Sequence, residues 1–328
     1  MKQHKTRGLL DLIISILPGL TLKEKIKLLN SFDNEEELYF QSKKNIEGLL
    51  NRKVKKDWDI SEIRNKADRI DTICGIRSIK WVSWSSEEYP PLLREIYDPP
   101  AVIYYRGSLP NPEKPLLGMV GTRKPSPESA EQAYKIACGA GKAGISVVSG
   151  LALGIDAMSH RGNLAGGVPG YAVLGSGIDE IYPSSNRLLA KQILDSGGAL
   201  ISEYSPGTKP AKWSFPARNR IISALSRSVL IVEAPQKSGA LITAAFALEH
   251  GRELWVASTG VQKSTIKNKL GTLKLAEDGA EVIYSELDIF KKWNLNYADN
   301  DKKVMVSAGN ISKEEIISSM ANLLNIEI

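Results

Sequence analysis

Residues 116–156 read LLGMVGTRKPSPESAEQAYKIACGAGKAGISVVSGLALGID. The run Leu116–Val120 is apolar without polar alternation, which is typical of a strand buried on both faces of a sheet. A helical pattern follows over Glu128–Ala143, Gly144 stands at its C-terminal end, and a second apolar run covers Ile145–Val148. We therefore predict a right-handed strand–helix–strand unit with two parallel strands.

The same alternation continues to residue 285. Further buried strands are predicted at Tyr171–Leu174, Ala199–Ser202, Val229–Val232, Leu254–Ala257 and Glu281–Tyr284. Helices are predicted between them at Ile155–Ala165, Asn186–Ser196, Asn219–Leu225 and Ala240–His250. The expected fold class is α/β, with a mostly parallel sheet and helices on both faces. Such sheets bind ligands beyond the carboxyl ends of their strands.

The N-terminal segment, residues 1–75, has a different composition, because it is charged and lacks strand-like runs. Apolar residues occur at helical spacing in Leu9–Leu17, Leu22–Phe32 and Ile46–Leu50. We therefore expect residues 1–75 to form a small all-helical domain.

Three further segments complete the expected organisation. Residues 76–115 are predicted to be a proline-rich connecting segment with one extended run, Ala101–Tyr105. The sheet domain is expected to cover 116–285. Residues 286–328 are predicted to be a tail that carries one amphipathic helix, Ser312–Asn325.

The composition limits the class of protein. The chain has 328 residues, 42% of them hydrophobic and 24% charged, with a formal net charge of +6, which excludes whole-chain disorder, collagen and coiled coil. No apolar run has the roughly 20 residues of a membrane span, and the N-terminus lacks signal-peptide features, so we expect a cytoplasmic protein. Two cysteines and three scattered histidines predict no metal site and no cofactor. The mild basic excess permits a polyanionic partner.

Glycine-rich loops follow the first three predicted strands, and they contain Gly121-Thr122-Arg123-Lys124, Ser149-Gly150 and Gly175-Ser176-Gly177. Glycine lets the backbone approach a ligand closely, and the N-terminus of the following helix favours an anion. Ser238-Gly239 opens a helix after the fifth strand and is either a cap or an anion-contacting turn. The hypothesis is a phosphate site, to which Arg123 and Lys124 add positive charge. The alternative is a set of tight turns that bind no ligand.

Two known phosphate fingerprints are absent. The GxxxxGK[ST] pattern fails because Ala143 follows Gly141-Lys142. The GxGxxG pattern fails because Glu180 stands where the third glycine belongs after Gly175 and Gly177. An ATPase and an NAD-dependent dehydrogenase are therefore disfavoured.

The densest basic cluster is KPAKWSFPARNR at residues 209–220. Its cations are interleaved with a tryptophan and a phenylalanine, which offers phosphate contacts beside flat surfaces for the bases of single-stranded nucleic acid. The alternative is a solvated loop in which Phe215 anchors the core and Arg220 pairs with Glu203 or Glu233. The residues alone leave both interpretations open.

Catalytic candidates are few. Asp156, Asp179, Glu203 and Glu233 follow strands, and His160 lies one helical turn beyond Asp156. No nucleophile has an evident base and orienting partner, and no GxSxG motif occurs. We interpret Asp156 and Asp179 as N-caps and as acceptors that fix loops.

At these residues the sequence resembles the DNA-processing proteins of the DprA (Smf) family. The segments that carry the resemblance are EYPPLLREIYDPPAVIYYRG (88–107), VGTRKPS (120–126), SGLALGIDAMSH (149–160), VLGSGIDEIYPSSN (173–186), ISEYSPGTKP (201–210), FPARNRIISALS (215–226), VEAPQKSGALITAA (232–245) and GREL (251–254).

The resemblance implies an extended Rossmann-like domain, preceded by a SAM-like helical domain. It implies a homodimer that binds and protects single-stranded DNA in a basic pocket and loads the RecA recombinase onto it during natural transformation or recombination, without catalytic turnover. The side chains that it implies for the pocket are Arg123, Lys124, Lys212, Phe215, Arg218, Asn219 and Arg220. Backbone N–H donors are implied at Ser149, Gly150, Gly175, Ser176, Gly177, Ser238 and Gly239.

Two other classes stay open. The family's sheet is similar to that of lysine-decarboxylase-like nucleotide phosphoribohydrolases, and the segment 238–243 distantly resembles their PGGxGT turn, so a nucleotide-cleaving enzyme is one alternative. The other is a nucleotide sensor that binds a soluble nucleotide in the same pocket.

Overall fold

The structure is a computed structural model that describes residues 8–262 and 267–295. Its strands are β1 Lys80–Ser83, β2 Val102–Gly107, β3 Leu116–Val120, β4 Ser146–Ser149, β5 Tyr171–Val173, β6 Ala199–Ser202, β7 Ser228–Ile231, β8 Glu253–Ala257 and β9 Glu281–Ile283. Within the described residues they form one sheet in the order β1-β2-β6-β5-β4-β3-β7-β8-β9.

Seven neighbouring strands of this sheet run parallel to one another, in the spatial order β6-β5-β4-β3-β7-β8-β9. The chain adds β4, β5 and β6 on one side of β3 and then returns to add β7, β8 and β9 on the other side. β3 and β7 are neighbours, with Met119 paired to Leu230. The point where the strand order reverses therefore lies between them, and a crevice at their carboxyl ends is the expected ligand site. The predicted α/β class with a mostly parallel sheet is confirmed.

Helices cover both faces of the sheet. Their bounds are α1 Leu9–Ile16, α2 Leu22–Leu29, α3 Glu35–Tyr39, α4 Lys43–Leu50, α5 Ile60–Ile76, α6 Pro91–Arg94, α7 Pro127–Lys142, α8 Ile155–Ala165, α9 Arg187–Asp195, α10 Ser214–Leu225, α11 Gly239–Glu249, α12 Ser258–Val261, α13 Leu270–Glu277 and α14 Glu286–Lys292. Short 3₁₀ turns cover Ser184–Asn186 and Lys267–Lys269.

Helix α10 begins at Ser214, five positions before the start predicted from the apolar pattern. Pro216 lies in its first turn, where a backbone N–H has no partner within the helix, so the ring interrupts no hydrogen bond. As a result Phe215 and Arg218 lie three positions apart on one helix, and neighbouring positions at this spacing share a face.

The segment 76–115 differs from the expected connecting segment because it contributes two strands to the sheet. β2 overlaps the predicted extended run Ala101–Tyr105 and pairs antiparallel with β6, and β1 pairs antiparallel with β2. β1 has four residues and begins with an exposed lysine, so it contains no apolar run from which a strand could be predicted. Tyr89 is fully buried and donates a hydrogen bond from its hydroxyl to the carbonyl of Pro100, which holds the intervening turn against the sheet.

Helices α1 to α5 form the predicted N-terminal helical region, and they share a hydrophobic core with one face of the sheet. Leu10, Leu12 and Ile14 of α1 belong to the same buried cluster as Tyr104 of β2 and Leu174 after β5. The carboxylate of buried Asp11 also accepts hydrogen bonds from the hydroxyls of Ser83 and Ser85. The helical region is therefore packed against the sheet.

Beyond residue 285 the described chain continues as part of the core. Ile289 and Phe290 of α14 are buried, and the indole of Trp293 lies 6.2 Å from that of Trp255 and donates a hydrogen bond to Ser228. These contacts extend the packed region past the boundary that the polar composition suggested. The predicted amphipathic helix Ser312–Asn325 lies outside the described residues.

Among the described residues, no helix has the length and apolar character needed to cross a membrane. The same residues contain no cluster of three or more His, Cys, Asp or Glu side chains that could hold a metal ion. His160 is fully buried in α8, and burial lowers its pKa to about 3, so its ring is neutral at physiological pH.

Candidate functional site

A pocket of about 610 Å³ opens at the carboxyl edge of the sheet, at the point where the strand order reverses. It lies between the loop after β3, the loop after β4 and the first turns of α10 and α11. We call it the basic pocket and define it by its lining residues Arg123, Lys212, Phe215, Arg218, Asn219 and Ser238. The structure thus brings together side chains from sequence motifs that are more than one hundred residues apart.

The charge of the basic pocket is positive. Arg123 and Lys212 are exposed, whereas Arg218 is buried, and Asp156 is the single acidic residue among the described residues that line it. An exposed cation beside a partly enclosed cavity is placed to contact an anionic group such as a phosphate.

Two aromatic rings form one wall of the basic pocket. The centroids of Phe215 and Tyr182 lie 5.4 Å apart with an interplanar angle of 41°, and the guanidinium of Arg123 lies 5.7 Å from the Phe215 ring. Gly175 is required here, because a Cβ at this position would lie 2.8 Å from Cδ1 of Phe215. Two rings and a guanidinium together offer a surface on which a nucleobase can stack.

Arg218 has a structural role in addition to lining the pocket. Its guanidinium donates hydrogen bonds to the carbonyls of Gly150 and Val173, which stand after β4 and at the end of β5. Burial lowers the pKa of Arg218 to about 10, although the nearby Asp156 carboxylate acts in the opposite direction. Burial likewise raises the pKa of Asp156, and the charge of Arg218 partly offsets that effect.

Gly150 separates these two buried charges. A Cβ on Gly150 would lie 2.6 Å from Nη2 of Arg218 and 2.7 Å from Oδ2 of Asp156. Its N–H donates to the Asp156 carboxylate at 3.1 Å, and its carbonyl accepts from Arg218. Gly150 is therefore needed to accommodate the buried Arg218 and Asp156 side chains, and its N–H is not directed at a ligand.

The Gly177 N–H, which was also expected to contact phosphate, and the hydroxyls of Ser149 and Ser176 are likewise bonded within the protein. The Gly177 N–H donates to the carbonyl of Thr208 at 2.8 Å, the Ser176 hydroxyl donates to the carbonyl of Glu180, and the Ser149 hydroxyl donates to the carbonyl of Met119. Neither Ser149 nor the segment 175–177 lines the basic pocket. The loops after β4 and β5 support neighbouring segments, because backbone groups that are buried need partners in the protein.

Two of the expected cations lie elsewhere. Arg220 forms a two-pronged ion pair with Glu203, with both N–O distances 2.7 Å, and its Nε donates to the carbonyl of Asp98. The structure therefore supports the alternative in which Arg220 pairs with Glu203, and it does not bring Arg220 into the pocket. Lys124 is exposed but does not line the pocket.

The N-terminus of α11 faces the basic pocket. Ser238 precedes the helix and makes no side-chain cap, and its buried hydroxyl has no hydrogen-bond partner among the described residues. Asn219 donates from its side chain to the carbonyl of Gly239 at 3.0 Å, which joins α10 to α11. The positive end of the α11 dipole thus adds to the field of the pocket.

The acidic residues considered for catalysis accept hydrogen bonds or form ion pairs within the protein. Asp156 accepts from the Gly150 N–H, Asp179 accepts from the Gly207 N–H at 2.8 Å and pairs with Arg77, and Glu233 accepts from the backbone and hydroxyl of Ser126. The interpretation of Asp156 and Asp179 as acceptors that fix loops is confirmed by these bonds. Neither is the N-cap residue of a helix.

Sequence reasoning missed Tyr182, which lines the pocket and is 47% exposed. Its signal was available, because Tyr182 lies in the loop that follows β5, and the loops at the carboxyl ends of the strands are where an α/β sheet binds its ligands. Thr122, which belongs to the glycine-rich loop after β3, and Thr243 also line the pocket, and neither was named as a site residue.

The fold and this pocket define an open α/β protein with a basic pocket where its strand order reverses. A family model described as DNA recombination-mediator protein A matches residues 80–294. The chain belongs to this family, whose members are named DprA or Smf.

Three similar proteins illustrate the relationship. Protein Smf of Synechocystis sp. is 46% identical over 203 residues, which cover 61% of this chain and 50% of that protein. The structure of DNA processing protein A from Streptococcus pneumoniae has a TM-score of 0.69 and 30% identity, covering 88% of this chain and 98% of that one. DNA processing protein A from Helicobacter pylori, described for its single-stranded DNA binding mode, has a TM-score of 0.57 and 28% identity, covering 67% and 98%.

The buried Arg218 yields a stability prediction. We expect Arg218→Ala to lower the free energy of unfolding at pH 7 by about 3 kcal/mol, because it removes the positive charge near the buried Asp156 carboxylate and leaves the carbonyls of Gly150 and Val173 without this donor. Without Arg218, the folded-state pKa of Asp156 rises further above its unfolded value, so the folded state binds the proton more tightly and the loss shrinks as pH falls. Urea denaturation of Arg218→Ala between pH 5 and 7, beside the double variant with Asp156→Asn, measures this. An equal loss at both pH values, or no recovery in the double variant, contradicts it.

Proposed function

We propose that this protein binds single-stranded DNA in the basic pocket. The observation that carries the proposal is the position of two exposed cations, Arg123 and Lys212, beside the ring pair Phe215 and Tyr182. Cations contact the phosphates of a nucleic acid, and aromatic faces stack with its bases, without preference for sequence.

The same geometry favours a single strand over a duplex. The rings are partly enclosed in the basic pocket, so a base reaches them only when it is free of its neighbours in a duplex stack. The single-stranded DNA binding described for the Helicobacter pylori relative supports this choice.

We further propose that the protein protects the bound strand and loads a RecA recombinase onto it, and that it does so without catalytic turnover. The description of the family as a recombination mediator supports loading. Binding without chemistry is supported by the engagement of Asp156 and Glu233 in hydrogen bonds that hold loops.

The helix α11 supports the proposal of a homodimer. Its sequence, GALITAAFALE, has a single charged residue, Glu249, yet Ile242 is 39% exposed and Leu248 is 64% exposed. A helix that is apolar on all sides is normally covered, and the near absence of charge suits contact with the same face of a second copy.

Loss of either exposed cation tests DNA binding. We expect Arg123→Ala and Lys212→Ala each to weaken binding of a labelled oligothymidylate roughly tenfold, because each removes one charge-assisted phosphate contact. The slope of log Kd against log salt should fall by about 0.7 for each, the value for one phosphate of a single strand. Fluorescence anisotropy over a salt series, with the matching duplex alongside, measures both.

The matched control for these variants is Lys142→Ala. Lys142 is exposed at the C-terminal end of α7, on the opposite edge of the sheet, so it should change neither affinity nor slope. An unchanged slope in both pocket variants would remove these residues from the DNA site. Tighter binding of a mononucleotide than of the oligonucleotide, or release of free base from it, would favour the sensor or the enzyme.

Recombinase loading has its own test. On single-stranded DNA coated with a single-strand-binding protein, the wild-type chain should shorten the lag before RecA hydrolyses ATP. With the Arg123→Ala/Lys212→Ala double variant, the lag should equal that of the reaction without this protein, because the variant binds the strand too weakly. A wild-type chain that binds DNA and leaves the lag as it was contradicts loading and leaves DNA binding standing.

The dimer proposal is tested by placing charge on α11. Leu248→Glu should halve the mass measured by sedimentation equilibrium, because a buried unpaired carboxylate opposes association. Leu188→Glu is the matched control, since Leu188 is 67% exposed on α9. A wild-type monomer, or a Leu248→Glu dimer, would contradict an interface at α11.

A further inference from the structure

Trp213 is a large apolar side chain that the protein leaves in water. The residue is 66% exposed and stands immediately before the first residue of α10. It does not line the basic pocket, whereas its neighbour Lys212 does. Tryptophan is usually well buried in folded proteins, so an exposed indole next to a ligand pocket needs an explanation.

The indole is held in place by an edge contact. The rings of Trp213 and Tyr204 have centroids 5.7 Å apart and an interplanar angle of 79°. Tyr204 is itself fixed, because its backbone N–H donates to the hydroxyl of buried Ser202 at the end of β6. This contact orients the indole, and the exposure of about two thirds of the residue leaves Trp213 accessible to a further ring.

The loop that carries both rings, residues 203–213, is anchored to the loop after β5. Thr208 accepts a hydrogen bond from the Gly177 N–H, and Gly207 donates to the Asp179 carboxylate, each at 2.8 Å. At the end of the loop, the Ser214 hydroxyl donates to the carbonyl of Gly175. A ring presented by an anchored loop loses little conformational freedom on binding, so stacking on it is favoured.

The two lysines of the segment 203–213 differ in their surroundings. Lys209 is paired with Glu180 at 2.6 Å, which holds the loop to its neighbour. Lys212 is exposed, lines the pocket and directly precedes Trp213 in the chain. An exposed aromatic side chain is therefore the chain neighbour of a cation that lines the pocket.

We propose that Trp213 is a second base-stacking site for single-stranded DNA, outside the basic pocket. This inference rests on the proposed function. One nucleotide occupies the pocket beside Phe215 and Tyr182, the adjoining phosphate contacts Lys212, and the next base stacks on Trp213. The site then requires at least two nucleotides for full affinity, and a mononucleotide uses only the pocket.

Oligonucleotide length separates the two sites. We expect Trp213→Ala to weaken binding of a four-residue oligothymidylate about tenfold, the effect of one lost base–aromatic stack, and to leave the affinity for thymidine monophosphate unchanged. Trp213→Phe should retain most of the wild-type affinity, because a phenyl ring still stacks. DNA should also quench tryptophan fluorescence in the wild type and lose that effect in Trp213→Phe.

The matched control is Phe40→Ala. Phe40 is 80% exposed and makes a similar edge contact with a tyrosine, Tyr39, at 5.6 Å and 77°, but it lies at the end of α3 in the N-terminal helical region. Its loss should change neither ligand's affinity. Thermal unfolding followed by circular dichroism checks that each variant folds.

Three outcomes overturn the inference. If Trp213→Ala binds both ligands as the wild type does, Trp213 takes no part in binding. If it weakens both ligands equally, Trp213 belongs to the pocket and forms no second site. If the wild type binds no oligonucleotide, the proposed function itself fails. This result is distinct from the first two outcomes, in which the wild type binds DNA and only the role of Trp213 is contradicted.

Discussion

The guanidinium of Arg218 is buried beneath the basic pocket, where it joins helix α10 to the carbonyls of Gly150 and Val173 beside the Asp156 carboxylate. A buried charge is costly unless it is paired and hydrogen-bonded, so the surrounding segments are constrained to satisfy it. Gly150 has no side chain because one would collide with both charged groups. The first turns of α10 are thereby held over the ends of β4 and β5, and this places Phe215 and Asn219 at the pocket.

This arrangement divides the glycine loops into two classes. The loops after β4 and β5 use their N–H groups within the protein, on Asp156 and on Thr208, and so they support α10 and the loop 203–213. The loop after β3 and the N-terminus of α11 line the pocket with their glycine motifs, whereas the loops after β4 and β5 contribute Ala152 and Tyr182 to it. A ligand therefore meets side-chain cations and a helix N-terminus, while the N–H groups of Gly150 and Gly177 are bonded to Asp156 and Thr208.

The basic residues likewise fall into two groups, those at the pocket and those paired within the protein. Arg218 and Arg220 are two positions apart on α10, which rotates their side chains by about 200° around the helix axis. Arg218 consequently lies at the pocket, and Arg220 lies against Glu203 and Asp98, where it ties α10 to β6 and to the segment before β2. The exposed pair Arg123 and Lys212 remains for a flexible polyanion, and exposed charges are the ones whose binding depends on salt.

The sequence by itself determined the order of parallel strands and helices, because unbroken apolar runs followed by glycine and helical spacing have few other solutions. It also located the basic and aromatic residues of 209–220 and the resemblance to the family to which the chain belongs. Only the tertiary structure decided that β1 and β2 extend the sheet, since β1 is short and partly exposed and is defined by its pairing with β2. It also decided which cations are exposed at the pocket and which backbone N–H groups are bonded within the protein. Those outcomes depend on partners distant in the chain, such as Glu203 for Arg220 and Thr208 for Gly177, and no local pattern encodes such pairs.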